Sequence, residues 1–205
     1  MAQRSAKDRK AEIVATTLRL ADKLGPDRLT TQAIADAVGL TQPAIFRHFP
    51  TKQALWQAVA ESIDETMTAA WQTALTSNSS PQDRLIALIK TQLGQIERNP
   101  AIPAILHSRE LQTENADLRQ RFKSLMMRFQ GLLLTELTAA HDAGLIRGDV
   151  RPEDAAVLLI SLVQGLAIRW SLSNRSFALE ADGIRLLVDT QLKLLCVAGT
   201  EESAT

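Results

Sequence analysis

Tyrosine is missing from this 205-residue chain, and cysteine occurs once, at Cys196. A single thiol excludes an internal disulfide and fits a reducing compartment, so a cytoplasmic location is expected. Nine glycines and seven prolines exclude collagen-like and low-complexity classes. The most apolar stretch, residues 155–168, is interrupted by Ser161, Gln164 and Gly165, and its fourteen residues fall short of a membrane span. The opening MAQRSAKDRKAEI is basic and has no apolar core, so it does not read as a secretory signal. No strand pattern and no internal repeat occur. Phosphate-binding and dinucleotide glycine patterns are absent, and no nucleophile, base and orienting group stand in order, so no enzymatic activity is expected. His107, Glu110 and Glu114 share a helical face at i, i+3 and i+7, too few ligands for a metal site.

What remains is helical. Ala, Leu, Gln, Arg and Glu dominate, and apolar residues recur at helical spacing from end to end. Helix 1 is expected over about residues 7–24, stopped by Gly25-Pro26. Thr30 or Thr31 caps a short second helix that ends at Gly39. A third runs about 42–48, with Thr41 as cap candidate and Pro43 in its first turn. Thr51 opens a long fourth helix whose apolar stripe falls every fourth residue, from Leu55 through Val59, Ile63, Met67 and Trp71 to Leu75. Ser80-Pro81 opens helix 5, and Asn99-Pro100 breaks it. A short helix is expected near 103–111. Long ones follow at about 116–143, 152–172 and 180–198. The sum is an all-α chain of about nine helices. It divides into an N-terminal three-helix head, residues 1–52, and a C-terminal helical body, residues 53–205, joined by the long helix.

Lysine plus arginine and aspartate plus glutamate number 23 each, so net charge is zero. The distribution is uneven. Residues 1–52 carry a net +4 and the remainder a net −4. A basic head on an acidic body suits a polyanionic partner for the head. The basic residues Arg4, Lys7, Arg9 and Lys10 read as an arm giving sequence-independent affinity or entering a minor groove, or else as a solubilising tail.

The informative stretch is 30–49, TTQAIADAVGLTQPAIFRHF. Two short helices meet at a tight turn around Gly39. Ala35 is small enough for their closest approach, and Ile34, Val38, Leu40 and Ile45 supply a core. That is the layout of a helix-turn-helix, whose second helix enters the major groove. Its N-terminal residues Thr41, Gln42, Pro43 and Ala44 then face base edges.

At these residues the sequence resembles the tetracycline-repressor (TetR/AcrR) family of transcriptional regulators. Residues 29–40 resemble the family's second helix and turn. Residues 44–49, AIFRHF, resemble its recognition helix, and Pro50-Thr51-Lys52-x-x-Leu55 its start of helix 4. The segment from Gly144 to Ala156 resembles the family's connection into helix 8. One departure is clear: the family usually has tyrosine where this chain has Phe46, whose ring packs alike but cannot reach a phosphate through a hydroxyl.

Side-chain chemistry suggests roles. Gln42 can read adenine bidentately, while Thr41 and the Ala44 methyl suit thymine. Lys52, beside the start of helix 4, and the hydroxyl of Thr31 suit phosphate. Arg47 suits a guanine edge or a phosphate, the latter preferred. His48 is either structural or a phosphate contact.

Helix 8 is apolar around most of its circumference, which implies burial on more than one side. The resemblance implies a homodimer through helices 8 and 9, a palindromic double-stranded DNA operator, and a small-molecule effector bound among helices 4 to 8, with no other cofactor. Polar residues interrupting apolar faces are the pocket candidates: Gln92, His107, Arg109, Arg128, Gln164 and Arg169, with Gln95 in the same class and Trp71 lining the wall. The function implied is a repressor that leaves its operator when the effector binds. The alternative is a DNA-binding architectural or activator protein that needs no ligand.

Overall fold

Helix boundaries in the computed structural model follow local capping chemistry. The structure describes residues 5–108 and 113–196. Helix α1 (Ala6–Leu24) opens with a capping box in which Ser5 accepts from the Asp8 amide and the Asp8 carboxylate accepts from the Ser5 amide. Lys7, Arg9 and Lys10 lie in its first turns, as the helix expected from residue 7 implies; Arg4 lies outside the described residues. Helix α2 (Thr31–Val38) is capped by Thr30, whose Oγ1 accepts from the Ala33 amide at 3.1 Å. It ends at Gly39 with φ 72°, a left-handed conformation that favours glycine. Helix α3 spans Gln42–His48. Thr51 Oγ1 accepts from the Ala54 amide at 3.0 Å and opens α4 (Lys52–Thr76).

Ser80 Oγ accepts from the Asp83 amide at 3.0 Å at the head of α5 (Pro81–Arg98). Helix α6 (Ala101–His107) begins two residues earlier than expected, with Pro103 still in its first turn, where it removes no helical bond. Helix α7 (Ala116–Asp142) ends where Gly144, φ 70°, turns the chain. Helix α8 spans Pro152–Leu172, as expected. Helix α9 (Leu179–Leu186) differs from expectation: the chain continues as a π-helical segment, Leu187–Leu192, and a short α-helical turn, Lys193–Leu195. The fold is all-α, with nine helices before the π segment among the described residues. One isolated antiparallel bridge joins Ile146 to Cys196.

Packing divides the chain into two compact units: Met1–Thr66 with Asn99–Ser124, and Met67–Arg98 with Leu125–Thr205. This differs from the sequence-based division at residue 52. In the first unit α1 packs on α2, α3 and α6, with Ile13, Ala21, Leu29, Ile34, Ala35, Ile45 and Phe49 buried. The first half of α4 is held to the start of α7 by side-chain bonds. Gln57 donates to Asp117 at 3.0 Å, and Asn115, which caps α7 through the Leu118 amide, donates to the Gln53 carbonyl. Just past the ends of α6 and α1, Ser108 donates to Asp27.

In the second unit α5 packs on α8 and α9. Two glycines permit the α5–α9 approach. A Cβ on Gly183 would lie 2.7 Å from a buried Leu93 methyl, and one on Gly94 would push against the end of the Glu180 side chain. Glu97 of α5 caps α9 from outside: its carboxylate accepts from the amides of Leu179 at 2.8 Å and Glu180 at 3.3 Å. Buried Glu136 on α7 accepts from Arg84 Nε on α5 at 2.8 Å.

Candidate nucleic-acid interface

The α2–turn–α3 segment presents one buried and one exposed face. Ala35 is fully buried where α2 and α3 approach, and the Leu40 amide donates back to its carbonyl at 2.9 Å, fixing the turn. Ile34 and Ile45 fill the space between helices, at 2% and 1% exposure, while Val38 and Leu40 are only half-buried. Leu29 and Phe49 complete this core. Sequence reasoning did not assign those two, although each lies at an apolar position flanking a helix.

On the other side Thr41, Pro43, Phe46 and Arg47 are exposed, and Gln42 and His48 are half-buried. Helical spacing puts Gln42, Pro43, Phe46 and Arg47 on one surface of α3, with Thr41 in the turn before it, whereas His48 falls between Ala44 and Ile45 on the inward side. Thr41 occupies the cap position but makes no side-chain capping bond. Gln42 Nε2 instead donates to Thr31 Oγ1 at 2.6 Å, tying two candidate contact residues to each other. Lys52 is half-buried in the first turn of α4. Phe49 receives Lys10, whose ammonium stands 5.7 Å from the ring centroid. Arg9 pairs with Glu12 at 2.7 Å.

One residue is misassigned. Ala44 is 6% exposed and packs inward beside Ile45, so its methyl is not offered to a base. Two successive helical residues can both reach a core when they straddle the inward direction, and Ala44 and Ile45 do so.

The candidate effector residues are not brought to one place. Trp71 and Gln92 meet: the buried indole donates to the Gln92 carbonyl oxygen at 2.9 Å, and its ring stacks on Phe129 at 5.1 Å. Arg128 is exposed and donates to Thr68 at 2.8 Å. Arg169 is exposed, with its guanidinium 5.8 Å from the Phe177 ring centroid. Gln164 is half-buried on the same helix. His107 is exposed at the end of α6 in the other unit. Arg109 lies outside the described residues. An apolar cleft elsewhere in the second unit is lined by Leu85, Leu145, Ile146, Leu192 and Cys196, none of them a pocket candidate. Among the described residues no group of three or more His, Cys, Asp or Glu is placed to hold a metal.

Helix α8 is long and apolar enough, by length and composition, to cross a bilayer. Its 21 residues extend beyond the apolar stretch 155–168 on both sides. In this fold Ala155, Ala156, Leu159, Ile160, Val163, Ala167 and Trp170 are buried, while Val157, Leu158, Leu162 and Leu172 are exposed.

An all-α chain that sets a seven-residue helix on a glycine turn, polar side outward, is a helix-turn-helix DNA-binding protein. Residues 13–59 match the model of the tetR family of bacterial regulatory proteins, and residues 81–197 match the C-terminal domain of BetI-type transcriptional repressors. The chain belongs to the TetR family and is a DNA-binding transcriptional regulator. It is similar to the nucleoid occlusion factor SlmA of Haemophilus ducreyi, 27% identical over 86% of this chain and 87% of that protein. SlmA of Aliivibrio fischeri is 30% identical over 68% and 69%. The fold is shared with a transcriptional regulator of Saccharomonospora viridis solved in complex with choline, at a TM-score of 0.82, 19% identity, and coverage of 93% and 99%.

Proposed function

We propose that the protein is a homodimeric repressor that binds a palindromic operator and leaves it when a small molecule occupies the second unit. The observation that carries the DNA-reading part is the two-sided α3: Ala44 and Ile45 anchor it, and Thr41, Gln42, Pro43, Phe46 and Arg47 remain on its outer side. Gln42 and Thr41 read base edges. Arg47, Lys52 and Thr31 hold phosphates, and His48 supports the end of the helix. A twofold dimer through α8 and α9 places two copies of α3 about 34–36 Å apart, one helical turn of DNA.

Helix α4 is one uninterrupted helix from the DNA-binding side to Thr76. Effector binding shifts the population toward a position of α4 in which both half-sites cannot be held. Trp71 on α4, with Gln92 and Phe129, is the polar–aromatic cluster where an effector would act on that helix. The proposal needs no resident cofactor, no catalysis and no membrane, and it places the protein in the cytoplasm.

Selection from a random duplex library with the purified protein tests the reading. An enriched inverted repeat with half-sites a helical turn apart is the expected result, with binding that falls as salt rises. Uniform, salt-sensitive binding without an enriched sequence overturns it. Release of the selected duplex by a member of a small-molecule panel, with a rise in Tm, tests the effector step.

A second reading has its own support. The relatives matched over most of this chain are nucleoid occlusion factors, and Trp71, Gln92 and Phe129 already satisfy one another. A ligand-independent architectural DNA binder fits both observations. It predicts an operator that no panel member releases.

A further inference from the structure

The outermost line of α3 is apolar, while the lines on either side of it are polar. At about 100° per residue, buried Ala44 and Ile45 bracket the inward direction, and Pro43 and Phe46 lie farthest from it, each about 150° away. Gln42 and Arg47 flank that ridge, one on each side. Both ridge residues are exposed, and 39% of the Phe46 surface is open to water. The ring has no polar atom, so it neither donates to nor accepts from a base edge or a phosphate. An aromatic face open at the crest of a DNA-reading helix can use only an apolar group of the duplex. The major groove offers one on its floor, the C5-methyl of thymine.

We propose that Phe46 is a specificity-determining residue that selects a thymine by seating its C5-methyl against the ring. This rests on the DNA-reading part of the proposed function and adds a base to it. The contact fills the thymine-reading place that inward-facing Ala44 leaves open. It sets the ring toward the groove floor and the neighbouring Arg47 guanidinium toward a wall, where the phosphates are. A guanine or cytosine edge beneath the ring loses its groove waters and gains no hydrogen bond in return. The same side chain therefore attracts thymine and rejects a G·C pair. Phe46 follows Gln42 by four residues, about 6 Å along the helix and just under two base-pair rises. The selected thymine lies within two base pairs of the position that Gln42 reads.

Replacing one thymine at a time by deoxyuridine in the duplex enriched from the random library tests this. Uracil keeps the pairing and every groove donor and acceptor of thymine and removes only the methyl. Duplex Kd is read at one salt concentration for the full-length parent, Phe46→Ala and Gln42→Ala. For the parent, one thymine in each half-site is expected to be sensitive, its uracil duplex binding about fourfold more weakly, as loss of one buried methyl implies. Phe46→Ala binds the thymine duplex more weakly by at least that factor and no longer distinguishes thymine from uracil. Its affinity for a scrambled duplex, which rests on phosphate contacts, stays within about twofold of the parent's. Gln42→Ala keeps the uracil penalty and relaxes a neighbouring position instead. Circular dichroism and Tm confirm that each variant folds.

An enriched operator in which no uracil substitution matters overturns the thymine contact. A penalty that persists in Phe46→Ala gives the methyl to another side chain and overturns the role of Phe46. A Phe46→Ala variant that weakens selected and scrambled duplexes alike, with no loss of discrimination, places the ring on a sugar and overturns it too. A library without an enriched sequence overturns the DNA-reading function beneath the proposal and takes the proposal with it, so the two failures separate at the first step.

Discussion

Helices α3 and α8 each bury one side and leave the other outward, and the two outer sides are chemically opposite. That of α3 offers a hydroxyl, an amide, a guanidinium and one ring, over only two turns. That of α8 is mainly aliphatic, with an acid near one end and a base near the other, over 21 residues. A short polar face on a rigid turn suits a hydrated, charged groove, where each contact is directional. A long apolar face suits another protein surface, where area and fit dominate. Exposure alone therefore does not indicate a partner; the chemistry of what is exposed does.

Neighbouring residues on these helices give the sharpest way to break the comparison. Ile45→Ala and Leu159→Ala remove buried side chains and are expected to cost about 2–5 kcal/mol of folding stability. Phe46→Ala and Leu158→Ala, one residue away, should change intrinsic stability by under about 0.5 kcal/mol. Leu158→Ala should lower Tm in a concentration-dependent way, as an interface residue does. Denaturant titration at two protein concentrations separates these outcomes.

Within the second unit, Arg84→Ala strands the buried Glu136 carboxylate and should destabilise by about 3 kcal/mol, read by the same titration. On the α3 side, Gln42→Ala should weaken binding to the selected operator by about 1–3 kcal/mol and relax preference at one base position. Lys52→Ala should weaken all duplexes alike and reduce the salt slope by about 1. Thr30→Ala deletes the α2 cap and should cost about 1 kcal/mol.

The smallest effect is electrostatic. Arg147 donates to Asp149 at 2.6 and 3.0 Å, and that hydrogen bond with the nearby positive charge holds the Asp149 carboxyl below its ordinary range. A depressed carboxyl lends stability that is present above the unfolded-state pKa and lost as pH falls through the lower folded-state value. Asp149→Asn should therefore lower Tm slightly near neutrality and match the parent below the folded-state value. It should flatten the acid end of the Tm–pH profile slightly, and only at low salt, because the pair is fully exposed.

The sequence carried most of the helical plan because its stop and start signals are local. Gly39, Ser80, Gly144 and Pro152 each fix a boundary through their own backbone or the next turn. The start of α9 has a weaker one, the Asp182 carboxylate accepting from the Ala178 amide at 3.1 Å. Ala178 supplies no capping side chain, and the cap comes from Glu97 on another helix. The π-helical run Leu187–Leu192 keeps the same apolar residues as an α-helix would, so periodicity alone did not reveal it.

The outer side of α3 was legible because Thr41, Gln42, Pro43 and Arg47 are polar or turn residues in a short, strictly spaced motif. Ala44 was misplaced because a methyl group suits a thymine and a core equally well. The effector candidates were chosen as polar interruptions of apolar faces, and that criterion does not distinguish inward from outward. Trp71 and Gln92 point in, whereas Arg128 and Arg169 point out.

The hydrogen bond from Gln42 to Thr31 bears on how a reader of this kind searches a chromosome. A glutamine amide with no partner would be penalised at every wrong base it passed. Here it has a resting partner within its own protein, so a mismatched site costs it nothing and the landscape for sliding is smoothed. If Gln42 reads a base edge as proposed, only a base offering both a donor and an acceptor in the right plane would give more than the resting bond and draw the amide away from Thr31. Thr31→Val would remove both the resting place and the phosphate contact proposed for that hydroxyl: search on non-operator DNA should slow, and affinity should fall on operator and non-operator duplexes alike.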